Sequence, residues 1–115
     1  MVFELTNDFR QSRGVARIWQ CDALISSFCY EHCLAMQRAG TLYHAAECFL
    51  NGWGEAVACT SFDSSEPKSY IVTRLIFCII GNSRSHSELV LSARQLGCAV
   101  SFGNDKAYLC IRGKG

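Results

Sequence analysis

"SYIVTRLIFCII" spans residues 69 to 80, and its reading decides the fold. β-branched and aromatic residues dominate it, a composition that favours extended backbone. Read at the period of a strand, it is apolar on both alternations. Ile71, Leu75, Phe77 and Ile79 fall on one side, and Val72, Ile76, Cys78 and Ile80 on the other. A strand covered on both faces carries that pattern. The stretch is therefore expected to be the central strand of a sheet. Residues 55 to 62, "EAVACTSF", are expected to be its neighbour across "DSSEPK", a hairpin loop holding the only proline.

Working back towards the start, "VFEL" (2 to 5) reads as a short strand and "TNDFRQSRG" as irregular. From Val15 to Ala39 the polar residues Arg17, Gln20, Ser27, Glu31 and Arg38 recur at helical spacing. Ile18, Cys21, Ile25, Phe28 and Ala35 mark the opposite side, which predicts a long helix. Gly40 suits its C-terminal end, and Thr41 suits the cap of a second helix over Leu42 to Asn51, folded back as a hairpin. Downstream, Ser85 with Glu88 forms a capping-box pattern. Leu89, Ala93 and Leu96 make the stripe of a helix that Gly97 ends. "CAVSFGNDKAYLCIR" then predicts two strands around a Gly-Asn-Asp turn. The expected architecture is one α+β domain over residues 1 to 115, in the order β-α-α-β-β-α-β-β. Its sheet, mixed or antiparallel, has about four to five strands.

Composition narrows the function. The formal net charge of +1 offers no bulk attraction to nucleic acid or acidic membranes. The longest apolar run contains Arg74 and is too short for a membrane helix. The amino-terminal residues lack the basic, apolar and small-residue order of a signal peptide. A cytoplasmic protein with neither nucleic acid nor membrane as partner is the expectation. Eight cysteines lie in helical and strand patterns beside aliphatic residues rather than in loops. That placement reads as reduced, buried thiols acting as small hydrophobes.

Three constellations could carry chemistry. Cys29 with Cys33 and His44 with Cys48 sit four apart, on facing sides of the expected hairpin. Their levels are offset by roughly 5 Å, against metal bonds of about 2.0–2.3 Å. Core packing is therefore expected there and no metal or other cofactor, with a metal- or redox-responsive switch as an alternative. The better binding candidate is Gly81, Asn82, Ser83, Arg84, Ser85 and His86, where a chain segment enters a helix whose first N–H groups attract anions. It suits a small anionic ligand, and an enzyme using this helix start as its substrate site is the alternative. No catalytic group is assigned, because no nucleophile and base share a visible spacing. Trp53, between Gly52 and Gly54, is a candidate interface anchor.

The expected function is binding, of a protein partner, of a small ligand or of a second copy. Only 18% of residues are charged while 50% are hydrophobic, which leaves apolar surface with little polar cover. A two-fold dimer would cover it. Light scattering at micromolar concentration should return twice the chain mass of 12.8 kDa. A monomer throughout that range would refute the dimer.

Overall fold

The computed structural model describes residues 1–46, 52–81 and 84–115. Among these residues four helices and three strands follow in the order α1 (Val2–Ser12), α2 (Ala23–Ala39), β1 (Gly54–Ser61), α3 (Lys68–Ile80), α4 (Arg84–Ser92), β2 (Gln95–Phe102) and β3 (Lys106–Lys114). The α+β class stands. The strands form one antiparallel sheet in the order β1-β3-β2, so the expected four to five strands are three among the described residues.

The stretch 69–80 is the main correction: it is helix α3, not a central strand. Its buried residues are Ile71, Val72, Leu75, Ile76 and Ile79, the repeat of one helix face. Tyr70 and Phe77 remain 68% and 61% exposed on the opposite side. An apolar face this wide makes both alternations look covered. Twelve residues is also long for a strand, and Pro67 before and Gly81 after are helix boundaries. The central strand is β3, whose residues Ala107 to Gly113 are all buried.

The sheet is packed on both faces. On one, α2 lays Cys29, Cys33 and Met36 against Tyr108 and Cys110 of β3, with Val57, Cys59 and Ala99 beside them. On the other, α3 covers Ala56, Ala58, Leu109 and Ile111, joined by Val2 of α1 and by Ala93 and Leu96. Helix α2 begins at Ala23 rather than Val15, because the Asp22 side chain accepts from the Ile25 N–H at 2.9 Å and fixes the start. Gly40, with φ of 71°, ends it as expected. Residues 42–45 are not helical, so the expected second arm of the hairpin is absent there, and residues 47–51 lie outside the described ones.

Residues 2–5 also differ from expectation: they open helix α1 rather than a strand. The buried face of α1 is Val2, Thr6, Asn7 and Arg10, mostly polar and so silent in hydrophobic periodicity. Asn7 brackets Ile18, donating to its carbonyl at 3.0 Å and accepting from its N–H at 2.8 Å. Arg10 donates to the carbonyls of Ala16, Val90 and Ala93 at 2.6–2.9 Å. These bonds replace water on backbone groups that burial would leave unpaired. Since α1 and α2 lie on opposite faces, residues 13–22 cross the sheet at its β2 edge. The Asp22 N–H donates to the Leu96 carbonyl there at 2.8 Å.

Gly97 lies in β2 instead of ending a helix, and close approach explains it. A Cβ at this position would stand 2.6 Å from Ile25 Cγ2 and 2.8 Å from the Ser26 backbone nitrogen. Gly97→Ala should therefore destabilise the protein by about 2 kcal/mol through overpacking. Urea unfolding measures this, and an unchanged midpoint would show that α2 is not seated so closely.

Candidate functional site

Glu55 enters the site as the second residue of β1, where its register partner on β3 is Arg112. Its side chain is fully buried, and Arg112 Nε donates to Oε2 at 2.9 Å. The other oxygen, Oε1, accepts from the Ala45 N–H at 2.9 Å and from His44 Nδ1 at 3.0 Å. The Cys110 thiol adds a contact of 3.7 Å to Oε2. Both carboxylate oxygens are thus engaged, one by the sheet and one by the segment that follows α2.

Two further histidines complete the setting. His32, buried on α2, donates from Nε2 to the Tyr43 carbonyl at 2.6 Å and packs edge-on to the Tyr43 ring. Its Nε2 lies 3.8 Å from Glu55 Oε1, so it steadies the 43–45 segment over the carboxylate. His86 comes from the first turn of α4, in the opposite layer. Helix α4 reaches this end of the sheet because Gly54 and Gly113 face each other across β1 and β3, leaving room for Leu89. A hollow of about 300 Å³ results, lined by His44, Gly54, Glu55, Ser85, His86 and Leu89.

The chemistry of the hollow follows from these contacts. A carboxylate accepting from His44 Nδ1 orients the ring in the way a carboxylate behind a metal-bound histidine does. Burial, followed by the neighbouring His44, holds His86 below the ordinary histidine value of 6.5. Its imidazole is therefore neutral at pH 7. Two imidazoles of different layers share one hollow, and one is backed by a buried carboxylate.

Of the residues singled out in the sequence, Ser85 and His86 line this hollow, while Arg84 pairs with Glu88 at 3.2 Å on the exposed side of α4. Gly81 closes α3, and Asn82 and Ser83 lie outside the described residues. The segment before Gly81, expected as a strand, is helix α3. Trp53 is half-buried, with Lys114 Nζ 5.9 Å from its ring centre. Cys29 and Cys33 pack against the sheet, and Cys48 is outside the described residues. Among the described residues no group of three or more His, Cys, Asp or Glu side chains is arranged to hold a metal ion. None of their helices is long and apolar enough to cross a membrane. Glu55 and Arg112 were not singled out as site residues. A lone glutamate at the start of "EAVACTSF" reads as a solvated strand end, and only its cross-strand arginine reveals otherwise.

No family model and no curated protein sequence matches the chain. Solved structures do match. An outer surface protein of Borrelia burgdorferi is 12% identical with a TM-score of 0.67, over 98% of this chain and 89% of that one. The structure of NaASP2 with Zn2+ is 13% identical with a TM-score of 0.73, over 97% of this chain and 76% of that one. Manganese-bound Ac-ASP-7 is 12% identical with a TM-score of 0.63, over 99% of this chain and 66% of that one. At these identities the likeness establishes a common fold. The chain is an α+β protein of the architecture that these three share.

Breaking the buried pair should be costly. Glu55→Gln leaves the Arg112 guanidinium without its countercharge and is expected to lose about 3 kcal/mol. Adding Arg112→Met should recover part of that loss, so the double variant is less destabilised than the two single changes summed. Denaturant unfolding of the three variants decides it, and strict additivity would mean that the pair does not act as a unit.

Proposed function

We propose that this protein is a binding protein whose hollow takes a divalent transition-metal ion between His44 and His86. The observation that carries the reading is the 3.0 Å contact between Glu55 and His44 Nδ1. A carboxylate behind a ligating imidazole is the usual outer partner of a metal-bound histidine, where it orients the ring and raises its basicity. Borderline ions such as Zn2+ suit imidazole donors. The neighbours of known structure described with Zn2+ and with manganese support the same choice.

The donor set fits a weak, open site rather than a structural one. Two protein ligands leave two or more positions to water or to a donor brought by a partner, whereas closed structural zinc uses four. His44 Nε2 and His86 would hold the ion, Glu55 would orient His44, and Arg112 would keep Glu55 in place. A bound divalent ion would supply positive charge and exchangeable positions at the surface. Ser85, at the same rim, is placed to meet what binds there.

Calorimetric titration with ZnCl2 tests the reading. His44→Ala and His86→Ala should each weaken binding at least about tenfold, and Glu55→Gln by about 10–100-fold through the loss of orientation. Protons compete with the metal for imidazole. Because His86 sits below 6.5, its share of the affinity should hold above that pH and fall as the pH drops through its lowered value. Zinc binding that survives both alanine variants would overturn the site. Titration with inorganic phosphate, binding in place of zinc and lost with His86→Ala, would favour the anion reading instead.

A further inference from the structure

We propose that Cys21 and Cys98 form an intramolecular disulfide when the reduced protein meets a small disulfide oxidant, fastening the 13–22 crossing to the β2 edge. Their sulfurs are 3.9 Å apart, although the residues are 77 positions apart in sequence. A disulfide needs about 2.05 Å, so the two sulfurs must close by somewhat under ~2 Å. The backbones on both sides are already held. The Asp22 N–H donates to the Leu96 carbonyl at 2.8 Å, and the Cys98 N–H donates to Ser26 Oγ at 3.1 Å. Ser26 Oγ also lies 3.2 Å from Cys21 Sγ, so one serine sits between the two thiol-bearing segments.

Access and proximity together mark this pair among the described thiols. Cys21 and Cys98 are half-buried, as are Cys59 and Cys78, whereas Cys29, Cys33 and Cys110 are wholly enclosed between α2 and the sheet; of the half-buried thiols, Cys21 and Cys98 have their sulfurs 3.9 Å apart. A hollow of about 310 Å³, lined by Gln20, Cys21, Asp22, Arg94, Gln95 and Leu96, opens the Cys21 side to solvent. Burial raises the thiols of Cys33 and Cys98, and the Cys29 contact together with burial raises that of Cys110.

The exchange proceeds in two steps. The Cys21 thiolate attacks one sulfur of oxidised glutathione, forming a mixed disulfide and releasing one glutathione as thiolate. The Cys98 thiolate then attacks Cys21 Sγ, forming the internal bond and expelling the second glutathione. Two protein thiols are oxidised, one glutathione disulfide becomes two thiols, and the two protons move from protein to glutathione or buffer. Burial of Cys98 makes the second step the slower one and makes it accelerate as pH rises.

The test is incubation of the reduced full chain with oxidised glutathione at several alkaline pH values, followed by intact mass and peptide mapping. The expected product is lighter by two hydrogens, with the Cys21 and Cys98 peptides joined, and its Tm is several degrees higher until dithiothreitol reverses it. Cys98→Ser should stop at the mixed disulfide on Cys21, and Cys21→Ser should give neither product. No reaction, a lasting mixed disulfide in the unaltered chain, or a cross-link mapped to any other cysteine would overturn the proposal. Because mapping is done on the unaltered protein, the result does not depend on either variant folding.

Discussion

Glu55 is the carboxylate on which this end of the molecule depends. It is buried beside a buried arginine, and it accepts hydrogen bonds from a neighbouring strand, a backbone amide and an imidazole. A carboxylate removed from water must be matched in this way, because an unpaired buried charge costs several kcal/mol. The matching has a structural consequence. Satisfying Glu55 draws the 44–45 segment down on the end of β1 and turns His44 so that Nδ1 faces inwards. The orientation that would serve a ligand is thus produced by the needs of a buried charge.

Polar groups perform the same service at the far edge of the sheet. Arg10 and Asn7 of α1 bind the backbone of the crossing segment and the end of α4, so that a connection between opposite layers can lie against the core. The crossing in turn places Cys21 beside Cys98. Apolar burial supplies the driving force, chiefly through Ile71, Leu75 and Ile79 against Leu109 and Ile111. These polar contacts determine which segments lie beside one another.

The elements that sequence reasoning placed correctly are those with local punctuation. β1 at residues 54–61 and the β2–β3 hairpin around residues 103–105 follow alternation and turn residues, and Gly40 closes α2 through its left-handed backbone. The errors have physical causes. α3 is apolar on so wide a face that a period of two and a period of 3.6 both fit. α1 buries threonine, asparagine and arginine, so its inner face has no hydrophobic signal. Asp22 caps α2 in the middle of a pattern that reads as continuous helix. In the candidate site, Ser85 and His86 were visible as polar residues at a helix start, whereas Glu55 and Arg112 were not visible as a pair. They are 57 residues apart, and neither has a local partner that marks it.

What the sequence by itself determined is the class of fold, the end of α2 at Gly40, the turn around residues 103–105, and the placing of cysteines among aliphatic neighbours. Each of these rests on interactions between residues a few positions apart, which composition and spacing record. Only the tertiary structure decided which strand is central, which face each helix covers and which histidines meet. Those outcomes depend on contacts between distant segments. Their hydrogen-bonding demands, above all those of Glu55, Arg112 and Arg10, are met only when the layers close on one another.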